Sequence, residues 1–198
     1  MARHGETEWN VQRRVQGHKD SPLTDLGLEQ ARQLARSLLA IHFDAVFSSD
    51  LLRAKHTAEI VALERKIAVD TSQLLREHNY GKYEGRLADD LRKELKEIFE
   101  KYEKLSDDEK FRYTLIPGGE SDEKLVSRFI TFVREIAVVY AGKTALVVTH
   151  GGLMSAFLTH AGFARTRKVR VSNAGYFKLL SDGVDFFIHE TNGITILE

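Results

Sequence analysis

Arg3-His4-Gly5-Glu6-Thr7-Glu8-Trp9-Asn10 is the stretch on which the rest of the chain turns. An arginine beside a histidine, followed by a glycine, sets a fixed cation next to a nitrogen nucleophile on a backbone free to turn sharply. That is the equipment needed for attack on a phosphoryl group. By itself the tripeptide reads equally as a charged surface turn, so its meaning depends on what answers it downstream.

Three later blocks answer it. The opening continues through Gln16-Gly17, Asp20, Pro22-Leu23-Thr24 and Gly27. Ser48-Ser49-Asp50-Leu51-Leu52-Arg53-Ala54 follows with Thr57-Ala58, then Glu77 ahead of Gly81 and Glu84-Gly85, and last Thr149-His150-Gly151. Taken together and in this order, the blocks resemble the histidine phosphatase superfamily, also called the phosphoglycerate mutase-like family, over nearly the whole chain.

The resemblance implies a role for each matched residue. His4 would be the nucleophile that becomes phosphorylated, and Arg3 and Arg53 would hold the phosphoryl oxygens. His150 would donate to those oxygens as charge builds on them. Glu77 would protonate the leaving oxygen and later take a proton from water. Asn10, Gln16, Gly17 and Gly151 match positions around the phosphate pocket. These roles suit the residue types. A guanidinium offers a planar fork to two oxygens, and neighbouring cations disfavour protonation of the His4 ring. Partial burial beside a phosphate dianion is expected to raise the pKa of Glu77. Glu84 is the next candidate for the same role.

Bulk properties narrow the class. A chain of 198 residues has the length of one large domain and can bury roughly 70% of its unfolded surface. With 29 basic and 29 acidic residues there is no global field for nucleic acid or an anionic membrane, so any anion must be held locally. No stretch has the apolar length of a membrane span, and the N-terminus lacks the apolar core of a signal peptide, so the cytoplasm is the expected compartment. The absence of cysteine excludes disulfides, a thiolate nucleophile and sulfur-ligated metal. His18, His42, His56, His78, His160 and His189 form no metal-binding motif, and no cofactor is expected. Gly142-Lys143-Thr144 ends like a phosphate-binding loop but stands before a strand and lacks the first glycine, since residue 137 is alanine.

Periodicity predicts alternating helices and strands. Thr24 caps a helix carrying Ala31, Leu34, Ala35, Leu38 and Leu39 to about His42. Phe43 to Phe47 reads as a buried strand, and Asp50 is placed to cap a helix to about Leu63 with Arg53 in its first turn. A short strand follows at Ile67 to Val69. Across about 86–116, charges of both signs overlie Leu91, Leu95, Ile98, Tyr102 and Leu105 at helical spacing, with Glu97 and Lys101 as an i,i+4 pair. This reads as a helical, cap-like insertion over the site. Ser121 starts a helix to about Tyr140, Ala145 to Thr149 is a strand, and Gly151-Gly152 turn into a helix to about Ala161. Strands at Tyr176 to Leu180 and Phe186 to His189 flank an Asp182-Gly183 turn. Only Met1 and Ala2 precede the signature, where the family has a buried apolar strand. Either the first strand is very short or residue 1 lies inside a longer natural one.

This order predicts one α/β domain over residues 1–198, with a mostly parallel sheet and helices on both faces. The site is expected beyond the C-terminal ends of the strands. The function implied is a metal-independent phosphomonoester hydrolase working through a phosphohistidine on a small phosphorylated metabolite. A cofactor-dependent phosphoglycerate mutase is the alternative, disfavoured because Gly152 stands where mutases usually carry asparagine and because no long proline-rich insertion is present. A non-catalytic phosphate-binding or scaffold protein on the same fold would be expected to lack one of the five catalytic residues. The oligomeric state is not readable, and a homodimer is compatible with the sequence.

Overall fold

Alternation within the apolar strands shows how the sheet is covered. In β2 (Ala45–Ser49) Ala45 and Phe47 face one core cluster and Val46 the other. In β4 (Ala145–Thr149) Val147 joins the first cluster while Leu146 and Val148 join the second. A strand apolar on both faces needs helices on both sides, and they are there. The first cluster lies against α7 (Asp122–Val139) and α8 (Gly151–His160), through Phe129, Phe132, Leu153 and Phe157. The second lies against α2 (Asp25–Ser37) and α3 (Leu52–Leu63), through Leu34, Leu38, Ala58 and Val61.

The computed structural model describes residues 1–63, 65–163 and 169–196. Its six-stranded sheet has the order β3-β2-β4-β1-β5-β6, where β1 is Ala2–Arg3, β3 is Val69–Ser72, β5 is Val169–Ser181 and β6 is Phe186–Ile196. β3, β2, β4 and β1 run parallel, whereas β5 pairs antiparallel with β1 and β6 antiparallel with β5. The mostly parallel α/β sheet is as the sequence predicts. Among the described residues, no helix is long and apolar enough to cross a membrane.

Several expected boundaries shift. β2 starts and ends two residues later than predicted, β3 lies at 69–72, and α2 stops at Ser37 with Leu38 as its C-cap. The closing hairpin is far longer than expected, because polar residues such as Arg170, Ser172 and Lys178 alternate along β5 with buried Val169, Val171 and Phe177. Its register shifts between Val171 and Tyr176, where Ala174 takes a left-handed φ of 55°, and Gly193 on β6 has φ 67°.

The stretch at 86–116 is not one amphipathic helix. It forms three short ones, α4 (Ala88–Glu94), α5 (Lys96–Glu103) and α6 (Asp107–Arg112), over a separate small cluster of Tyr83, Leu91, Leu95 and Ile116. Its i,i+4 ion pair is Lys96–Glu100, not Glu97–Lys101. A cavity of about 630 Å³ lies at the N-terminal ends of the strands, lined by Ala145–Val147, Tyr176–Ser181 and the last turn of α7. None of Arg3, His4, Arg53, Glu77 and His150 lines it.

Candidate active site

Strand register brings the two histidines together. Ala2 pairs with Val148 and Arg3 with Thr149 in parallel, and the His4 N–H donates to the Thr149 carbonyl at 3.0 Å. His4 therefore leaves β1 where His150 leaves β4, and the rings meet edge to face with centroids 5.2 Å apart. Both are buried, at 3% and 0% exposure. Burial, then the Arg53 charge, holds each imidazole well below the ordinary histidine pKa, with Arg3 adding to the effect. His4 Nδ1 lies 2.7 Å from the Gly5 carbonyl, which can only accept, so Nδ1 carries the proton and Nε2 keeps its lone pair. The Gly5 N–H donates to Thr57 Oγ1 at 3.1 Å, tying the turn to α3.

Arg53, 1% exposed, is gripped by the loop that follows α1 (Glu8–Val11). Its Nη1 donates to the Lys19 carbonyl and to Asp20 Oδ1, both at 2.9 Å, and its Nη2 donates to the Gly17 carbonyl at 2.7 Å. Here the predicted cap is corrected. Asp50 does not cap α3 but makes a two-point ion pair with Arg76, while Asp20 accepts the Leu52 N–H at 2.9 Å from 32 residues away. Gly17 offers its carbonyl to Arg53 from a backbone with φ 60°. A Cβ there would land on the Glu84 carboxylate, so glycine is required on both counts. Arg3 Nη1 donates to the Val171 carbonyl at 2.6 Å, and Gly151 begins α8 beside the Arg3 guanidinium.

The two glutamates part company. Glu84 accepts the backbone N–H groups of His18, Lys19 and Tyr80, so it fastens the Gly17–Asp20 loop to the segment at 80–84. Glu77, 13% exposed, sits at the N-terminus of α8 next to His150, taking the Gly152 N–H at 2.8 Å and the Leu153 N–H at 3.0 Å. The expected upward pKa shift is not found. Burial does push Glu77 up, but the hydrogen bond and charge of His78, with His150 behind it, outweigh burial and hold the carboxyl well below the ordinary range.

Among the described residues, five buried side-chain atoms have no hydrogen-bond partner: Arg3 Nε, Arg53 Nε, Gln16 Oε1 and both ring nitrogens of His150. Orphaned buried polar atoms cost about 1–3 kcal/mol each, and all five belong to residues expected around a phosphate. A tetrahedral oxyanion accepts from several such donors at once. Gln16 can join them by turning its amide. Asn10 is committed differently. Its Oδ1 accepts from the Thr7 N–H and from Asn173 Nδ2, which also reaches the His4 carbonyl at 3.3 Å. Asn173 was invisible in the sequence, because only the β5 register shift aims it at β1.

Similarity to known proteins agrees with this geometry. The model of the histidine phosphatase superfamily (branch 1) matches residues 1–193. The chain belongs to the histidine phosphatase superfamily. Phosphoglycerate mutase-like protein 4 of Arabidopsis thaliana is 34% identical over 202 residues, covering all of this chain and 86% of that protein. Bacillus stearothermophilus YhfR superposes with a TM-score of 0.83 at 30% identity, over 94% of this chain and 92% of that one. A mycobacterial glucosyl-3-phosphoglycerate phosphatase solved with VO3 gives 0.84 at 25% identity, over 98% and 97%. Members of this superfamily thus carry both phosphatase and mutase names.

Proposed function

We propose that this chain is a phosphomonoester hydrolase acting on a small phosphorylated metabolite through a phosphohistidine at His4. The observation that carries the proposal is the His4 tautomer. Its Nδ1–H is spent on the Gly5 carbonyl, so a neutral Nε2 stands among buried, unpartnered donors. In the first step the Nε2 lone pair attacks phosphorus in line, the P–O ester bond breaks, and the alkoxide takes a proton from Glu77, which is ionised before substrate binds and receives that proton from the bound phosphate monoanion. In the second, water attacks the phosphohistidine and gives its proton to Glu77, phosphate leaves, and His4 is restored. Arg3 and Arg53 neutralise the transferring group, which supplies the positive potential a divalent ion would bring, and neutral His150 donates a hydrogen bond to it. The VO3 in the glucosyl-3-phosphoglycerate phosphatase is the kind of oxyanion these donors suit.

Mutase activity is the competing reading, since the Arabidopsis relative is named for it. A side chain at Gly152 would collide with the Glu77 carboxylate, so this seat for Glu77 demands the glycine that sets the chain apart from the mutase pattern. Incubation with 3-phosphoglycerate decides between them. Hydrolysis predicts inorganic phosphate and an acid-labile phosphoenzyme, unaffected by chelator. Isomerisation to 2-phosphoglycerate faster than phosphate release would overturn the assignment.

A further inference from the structure

His78 is a buried histidine that the reaction above does not use, and it touches Glu77 directly. Its Nδ1 lies 3.3 Å from Glu77 Oε1 and its Nε2 2.9 Å from Oδ1 of Asp122, in the first turn of α7. Carboxylate oxygens only accept, so with both carboxylates ionised each ring nitrogen must carry a proton and the ring is an imidazolium.

We propose that His78, clamped by Asp122, is a positioning residue that fixes Glu77 Oε1 and keeps a cation against it, leaving Oε2 as the oxygen that exchanges protons with the reacting groups. This rests on the hydrolase reading. The bonding is asymmetric in the required sense. Among the described residues, Oε1 accepts from the His78 N–H at 2.9 Å, the Leu153 N–H at 3.0 Å and His78 Nδ1, whereas Oε2 accepts only the Gly152 N–H. Three donors saturate Oε1, and Oε2 retains a free lone pair.

The surroundings support a charged His78. Burial disfavours the cation, yet the bonds from Asp122 and Glu77 more than offset it and raise the pKa to about 9. Tyr80 stacks on the ring with centroids 5.7 Å apart. Burial, together with the charges of Glu77, Asp122, Glu120 and Glu84, holds its hydroxyl well above the ordinary tyrosine value, so it stays neutral. On the far side of Glu77 stand His150, Arg3 and Arg53. In the physiological range the cation beside Oε1 is therefore permanent, and it favours ionised Glu77, the form that takes the proton from water in the second step.

The sign of the effect follows. Removing the cation raises the Glu77 pKa, so the acid limb of phosphoenzyme hydrolysis moves to higher pH. The test is the pH dependence of single-turnover dephosphorylation, with Glu77 carboxyl titration followed in parallel by ¹³C NMR. His78→Gln should move both the limb and the NMR titration upward by about one unit or more, so that hydrolysis at the foot of the limb slows by about tenfold. Asp122→Asn, which keeps the His78 ring, should lower the His78 titration from about 9 and move Glu77 upward by less. Uniform slowing with both limb and titration unmoved would reduce His78 to packing and overturn the proposal. So would an Asp122→Asn protein in which His78 titrates lower while Glu77 stays put. If the wild type forms no phosphoenzyme, the hydrolase reading fails, and the NMR titration still decides the clamp.

Discussion

The strand-end site and the helices of 86–116, proposed as its cover, are built by different means. Three side chains of the site are tied to main chain far away in sequence: Arg53 to Gly17 and Lys19, Arg3 to Val171, and Glu77 to Gly152 and Leu153. The cover is local. Ser106 caps its own helix through Glu109, Lys96 pairs with Glu100, and Leu91 and Leu95 are its buried apolar anchors against Tyr83 and Ile116. A constellation held from many points cannot change one member without disturbing the rest. A patch of short helices on a small cluster can. We propose that the chemistry resides in the register of the sheet and that choice of substrate resides in residues 86–116.

That contrast can be broken in order of effect. His4→Ala removes the nucleophile and should cost on the order of 10⁴-fold or more in turnover for every phosphomonoester, with no acid-labile phosphate on the protein. Phosphoenzyme surviving the substitution would move the nucleophile elsewhere. Glu77→Gln should slow phosphoenzyme formation from alkyl phosphates by roughly 10²–10⁴-fold, but from p-nitrophenyl phosphate by much less, because that leaving group departs as an anion. Equal slowing in single-turnover experiments would leave Glu77 a shaping role only. Leu91→Ala should change the ratio of KM values between bulky and small substrates by about tenfold or less, with faster hydrogen exchange confined to 86–116. Exchange spreading into β2 or β4 would deny that the cover is separate. Lys96→Ala breaks an exposed pair and should shift stability by less than about 0.5 kcal/mol with kinetics unchanged.

What could be read from sequence follows the same division. β4, the Ser121 start of α7 and the glycine start of α8 are legible because a continuous apolar run, a capping serine and a Gly-Gly turn are local signals. Arg3, His4, Arg53, Glu77 and His150 are legible as a set because their motifs keep order along the chain, and the register of β1 with β4 then brings the two histidines together. The illegible parts are long-range. Asp20 displaces Asp50 as the cap of α3 from a distant loop. His78, whose hydrogen bond and charge hold the Glu77 carboxyl low, is itself bonded to Asp122, 44 residues away. Asn173 enters the site through a register shift that no residue pattern announces.

The long outer strand has a consequence for how the protein behaves in crowded solution. β6 is the last strand of the sheet, and half-exposed Phe187 and Ile196 lie along it. A straight edge of this length would template intermolecular pairing and draw chains into fibrils. The register shifts against β5 and the left-handed Gly193 twist this edge out of flatness. His189 and Glu190 place polar groups along it. The irregularity that brings Asn173 to the chemistry thus also serves, at the rim of the sheet, as a guard against aggregation.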